Sequence, residues 1–129
     1  MSVGLLLDTH ALIWALSAPR RLPTRLAKLL VDPETDVHLS AVSTWEIAIK
    51  AALGKIDAEL PAIVQAARGA QFEELPIAVS DTVRVLSLPS IHRDPFDRLL
   101  VAQALENDLI LATHDPIVAR YPVPVLWDT

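Results

Sequence analysis

Residues 3–16 read VGLLLDTHALIWAL, and the parsing of this stretch decides the fold. VGLLL is a short apolar run with no polar alternation, so it reads as a strand buried on both faces, the pattern of a parallel sheet. It ends at Asp8. THALIWAL follows at once with helical spacing, which gives Leu12, Ile13 and Leu16 to one face, and it stops near Ser17-Ala18-Pro19.

The same alternation continues outward. Helices are expected over residues 23–31, 43–53, 60–70 and 80–88, and from Pro95 to about Asn107. Asp32-Pro33, Gly54, Gly69 and Pro89 supply the stops. Strands are expected over 36–42, within FEELPI, over 109–113 and, as an edge strand that tolerates proline, over 122–127. A short final helix is expected after His114-Asp115-Pro116. Strands alternating with helices predict a parallel sheet covered on both faces. A length of 129 residues suits one domain, 1–129, without internal repeats.

Composition narrows the classes. A chain of this length buries about two-thirds of its unfolded surface and needs no staples. It has no cysteine, which excludes disulfides and thiolate metal sites and suits a reducing cytoplasm. Hydrophobic residues make up 52% of the chain and mean hydropathy is +0.38, a surplus that suggests a dense core together with an oligomer or partner surface. Charge or proline interrupts every apolar stretch before the roughly 20 residues of a spanning helix. MSVGLLLDTHALIWAL has no basic lead and carries Asp8 within its apolar run, so it makes a poor signal peptide. The net charge of −5 argues against nonspecific nucleic-acid binding but not against an enzyme that meets nucleic acid through a bound metal. Arg20, Arg21, Arg25 and Lys28 form a basic cluster that reads as a solvated helix face.

Four acids stand at predicted helix starts: Asp8, Glu46, Asp97 and Asp115. Each has a capping explanation. Asp8 and Asp115 fit N-caps, the latter followed by proline; Ser43 to Glu46 fits a capping box; Asp94, Pro95 and Asp97 fit a cap with an acid three residues on. Such features contribute around 1 kcal/mol each. In a parallel sheet, however, the carboxyl ends of all strands lie along one edge, where ligands bind. Like charges about 4 Å apart repel by roughly 4 kcal/mol at an effective dielectric of 20. Convergence of these acids would therefore require protons or a cation. With oxygen donors alone, the cation would be hard, Mg²⁺ or Mn²⁺, and would suit phosphodiester hydrolysis.

LLLDTHALIWAL, SAVSTWEIAIKAALGKI, HRDPFDRLLVAQAL, LATHD and the terminal PVPVLW occur here in order, and together they resemble the PIN-domain ribonucleases of the VapC type. These are the toxin halves of bacterial toxin–antitoxin modules, and the similarity runs from about residue 5 to 127. The resemblance implies a three-layer α/β/α fold, an acidic Mg²⁺/Mn²⁺ site that cleaves RNA, a homodimer and a cognate antitoxin that covers the site in a hetero-oligomer. It assigns Asp8, Glu46 and Asp97 to the first three family acids and Asp115 to a more variable fourth. Asp94, a further acid of the DPFDR motif, either ligates or caps its helix, and is read here as the cap. Thr9 and Thr113 are placed to hydrogen-bond the carboxylates beside them. Arg93 and Arg98 are candidate phosphate contacts, or else partners of the neighbouring acids. His114 departs from the pattern, standing where a small residue often precedes the fourth acid, and reads as exposed. His10 and His92 have no spacing that makes a metal pair. Trp14 and Trp45 read as core or dimer interface.

Two other functions compete. A phosphatase of the haloacid dehalogenase type also puts Asp after its first strand, but wants a second Asp where this chain has His10. A catalytically silent PIN-like module that binds RNA or a protein partner would keep its affinity after chelation and yield no cleavage products.

Overall fold

The computed structural model describes residues 3–127; the outermost two residues at each end of the expected 1–129 domain lie outside it. Five strands form one parallel sheet: β1 (Val3–Leu7), β2 (Thr35–Ser40), β3 (Glu73–Leu75), β4 (Ile110–Ala112) and β5 (Val125–Leu126). Their order is β3-β2-β1-β4-β5, so the chain steps outward from β1 to β3 and then returns to the other side of β1. The switch point lies between β1 and β4, where Leu7 pairs with Ala112.

VGLLL is the central strand, and its leucines serve both layers. Leu5 and Leu7 pack into one core with α1 (Thr9–Ser17), α2 (Thr24–Val31), α3 (Ala41–Ala52) and α4 (Leu60–Gly69). Leu6, pointing the opposite way by the two-residue strand period, packs into a second core with α6 (Pro95–Glu106). α5 (Val79–Val85) borders that second layer through Val85. All three leucines are fully buried. This is the expected α/β/α architecture. A Cβ at Gly4 would lie 2.7 Å from the Leu109 Cδ2 atom, so that side chain would have to shift.

Several boundaries differ from the sequence reading, α5 ending at Val85 and β5 beginning at Val125 among them. β2 ends at Ser40, whose hydroxyl accepts from Val42 N at 2.9 Å and starts α3 at Ala41. The cap is therefore Ser40 and not Ser43, and Glu46 sits in the second turn of α3. The stop after α4 needs positive φ at Gln71, not at Gly69. After Asp115 the chain forms only a 3-10 turn, Val118–Arg120, before the edge strand β5. Among the described residues no helix is long and apolar enough to cross a membrane.

Candidate active site

Asp8 directly follows β1, and its backbone N–H donates to Ala112 O of β4 at 3.1 Å, which ties it to the switch point. Its side chain caps α1, accepting from Ala11 N at 2.8 Å. Asp115 follows β4 and accepts from Ile117 N at 2.9 Å, while its own N–H donates to Thr113 Oγ1 at 3.1 Å. Asp94 caps α6, accepting from Phe96 N and Asp97 N at 2.9 and 3.1 Å, as expected of a Pro-initiated helix. That cap sets the first turn of α6, from which Asp97 projects.

These acids and Glu46 line one open cavity of about 790 Å³, together with Thr9, His10, Trp14, Lys50, His114 and Pro116. Capping and convergence coincide on Asp8 and Asp94, whereas Glu46, in the second turn of α3, and Asp97 join the cleft without capping a helix. Helix N-termini at the carboxyl ends of parallel strands point their first turns to a common rim.

The electrostatics record the crowding. Burial pushes the Asp97 carboxyl up to about 6, and the charges of Asp94, Glu46 and Asp115 add to the rise, against a hydrogen bond from His92. Burial also raises Asp8, opposed by hydrogen bonds from Thr113 and Ala11 and by His10. Lys50 is raised by its hydrogen bond to Glu46, and the charges of Glu46, Asp94 and Asp97 reinforce that rise. Its ammonium lies 2.5 Å from Glu46 Oε2. Lys50 thus serves as an internal cation for an otherwise acidic cleft. Among the described residues no three His, Asp or Glu side chains are already arranged to hold a metal ion. The donor chemistry nonetheless fits a hard cation: every acid offers oxygen, and the charges of Asp94, Glu46 and Asp115 add to the burial that raises Asp97.

The polar support differs in part from expectation. Thr9 neighbours Asp8 in sequence, yet its hydroxyl donates to Glu46 Oε1 at 2.5 Å and lies 3.2 Å from Ser43 Oγ. Thr113 does hydrogen-bond the Asp8 carboxyl. Arg93 is exposed and does not line the cleft. Arg98 points away from the cleft and donates to Pro89 O and the Tyr121 hydroxyl at 2.9 and 3.0 Å. Tyr121 lies 2.7 Å from His92 Nδ1, and His92 Nε2 lies 3.2 Å from Asp97 Oδ2. Arg98 therefore reaches Asp97 only through Tyr121 and His92, as a brace. Trp45 is 55% exposed against the Phe96 edge, outside both cores, whereas Trp14 is half-buried and also lines the cleft.

Sequence reasoning passed over Lys50 and the His92–Tyr121 brace. Lys50 had a legible signal, since Glu followed by Lys at i+4 shares one helix face. Tyr121 had none, being joined to His92 only by the tertiary fold.

The PIN-domain sequence profile matches residues 5–124. The chain belongs to the PIN-domain family. It is 30% identical over 127 residues to ribonuclease VapC22 of Mycobacterium tuberculosis, which covers 95% of this chain and 97% of that protein. In fold, this PIN domain is similar to VapBC2 from Rickettsia felis bound to a promoter DNA fragment. That match has a TM-score of 0.71 at 14% identity and covers 98% of this chain and 99% of the other. It is also similar to VapBC-5 of the VapBC toxin–antitoxin systems from Mycobacterium tuberculosis, with TM-score 0.58, 17% identity and 96% of each chain covered. The expected fold and family membership of this PIN domain are thus borne out.

Proposed function

We propose that this PIN domain is an endoribonuclease toxin that cleaves RNA phosphodiesters with Mg²⁺ or Mn²⁺ and is neutralised in the cytoplasm by a cognate antitoxin. One observation carries the reading: acids from four separate parts of the chain converge on one cleft at the sheet switch point. The ribonuclease name of the M. tuberculosis relative and the toxin–antitoxin names of the structural neighbours support it.

In this reading Asp8, Glu46, Asp97 and Asp115 are the catalytic acids and hold the cation. A divalent ion bound there supplies Lewis acidity for activating water and stabilising the leaving oxygen. The remaining work belongs to the chain. Thr113 orients Asp8, Thr9 orients Glu46, and His92, braced by Tyr121 and Arg98, orients Asp97. Asp94 aims the first turn of α6. Lys50 pairs with buried Glu46 on the wall of the cleft and holds that carboxyl in place.

A homodimer fits the exposed stripe on α5. Val79, Val83 and Leu86 follow one another at helical spacing and are 80%, 60% and 88% exposed. Such a contiguous apolar strip marks an interaction surface.

The test is cleavage of total RNA by the purified chain freed of any co-purified partner, with Mg²⁺ or Mn²⁺, with chelator, and beside Asp97→Asn. Discrete fragments requiring both metal and Asp97 are expected. A folded, metal-loaded protein that leaves total RNA intact defeats the reading.

A further inference from the structure

Beside the acidic cleft lies a second cavity of about 500 Å³ whose aromatic and cationic lining the proposed chemistry does not use. The two share His114, Asp115 and Pro116, and the second adds Arg25 of α2 and Trp127, which follows β5. The His114 and Trp127 rings are stacked, with centroids 5.1 Å apart and planes 20° from parallel. Trp127 leads on to Trp14 at 5.7 Å, and the Arg21 guanidinium covers the Trp14 ring at 4.1 Å. His114, Trp127 and Arg25 thus line one cavity that shares the rim acid Asp115 with the cleft, and Trp14 with Arg21 adjoins Trp127 outside it.

Core packing does not require this arrangement at His114, which is exposed. Its ring stacks on Trp127, and the exposed residue lines both cavities. The acids of the cleft repel a phosphate chain, and the net charge of −5 does nothing to attract one, so a polyanion needs local anchors here. A π-face next to a guanidinium is the anchor that single-stranded nucleic acid uses: the base stacks and the backbone meets the cation. A duplex hides its base faces in the stack, so only an unpaired nucleotide fits.

We propose that His114 and Trp127, with Arg25, form a subsite that stacks one unpaired RNA base immediately beside the acidic cleft. The subsite rests on the ribonuclease reading above and specifies its substrate: the cut falls next to an unpaired nucleotide held on this shelf. His114, the departure from the family pattern, is its outer face.

The experiment uses the full chain carrying Asp97→Asn, in chelator, titrated with a short single-stranded oligoribonucleotide containing the fluorescent base 2-aminopurine. Binding is expected to quench the probe. His114→Ala removes the quench and weakens binding about 5- to 10-fold, the lower part of the range for one base–aromatic stack. His114→Phe restores both. Arg25→Gln lowers the slope of log affinity against log salt by about 0.7 and leaves the quench in place. Both residues are exposed, so the variants fold. Unchanged affinity and quench in His114→Ala overturn the proposal and leave the shelf to packing or to a protein contact. Cleavage of total RNA by the unsubstituted chain is measured alongside. Cleavage together with an indifferent His114→Ala defeats the subsite alone; a quenched, His114-dependent probe without cleavage defeats the ribonuclease reading and leaves an RNA-binding shelf.

Discussion

Replacing Asp97 with Asn is expected to stabilise the metal-free protein while abolishing cleavage. The Asp97 carboxyl is pushed from 3.8 to about 6 by burial and by the neighbouring acids. At about 1.4 kcal/mol per tenfold, that rise corresponds to about 3 kcal/mol against the charged form. The side chain is 24% exposed, so solvent screening cuts the value to roughly half, ~1.5 kcal/mol. Asparagine has the same shape, keeps an oxygen for His92 Nε2 and carries no charge. Spread over the unfolding entropy of a domain this size, the gain raises the melting temperature by about 5 °C. The sign follows from linkage. The folded carboxyl has the higher pKa, so the folded state takes up a proton between about pH 6 and pH 4, and the wild type recovers stability as pH falls through that window. The advantage of the variant is therefore full above about pH 7 and vanishes near pH 4. Saturating Mn²⁺ reverses the order, because only the wild type gains stability from the bound ion. The assay is thermal melting of both proteins in chelator across this pH range, then with Mn²⁺. A variant that melts no higher than wild type at neutral pH in chelator, or one that gains equally at pH 4, would refute the electrostatic account.

Other outcomes follow from the same geometry. Lys50→Met leaves Glu46, 5% exposed, without its cation, so the metal-free protein is expected to lose about 1–2 kcal/mol, and added Mn²⁺ to rescue the variant more than the wild type in calorimetric melts. Equal Mn²⁺ shifts in both proteins would mean that Lys50 does not stand in for the ion. Asp94→Ala removes a cap that accepts from two backbone N–H groups and costs about 1 kcal/mol, whereas Asp94→Ser retains the cap. If Asp94→Ser melts like wild type and still cleaves RNA, Asp94 is a cap; normal melting with lost cleavage would make it a ligand. Val83→Glu with Leu86→Glu puts two charges on the exposed α5 stripe and is expected to yield monomers by light scattering, with the melting curve little changed. A dimer that survives both substitutions must use another face.

The sequence by itself determined the class of fold. VGLLL is apolar at every position and so must be covered on both faces; the run ends at an acid and turns at once into a helix, which is the signature of a parallel sheet between helices. It also determined the capping roles of Asp8 and Asp94, because a cap is a contact between residues two or three apart and is written in local order. Residue spacing and propensity carried neither the strand order nor its consequence. β4 returns to the side of β1 opposite β2, and this return alone makes the rim where Asp115 meets Asp8. Ser40 and Ser43 are locally equivalent caps, and only the end of pairing with β3 at Leu75 selects Ser40, which moves Glu46 one turn further in. Thr9 turns to Glu46, and His92 reaches Tyr121, across 37 and 29 residues. His114 stacks on Trp127 only because β5 lies beside β4. Contacts over such separations depend on how the sheet is ordered, and long-range burial sets that order; no window of local sequence contains it.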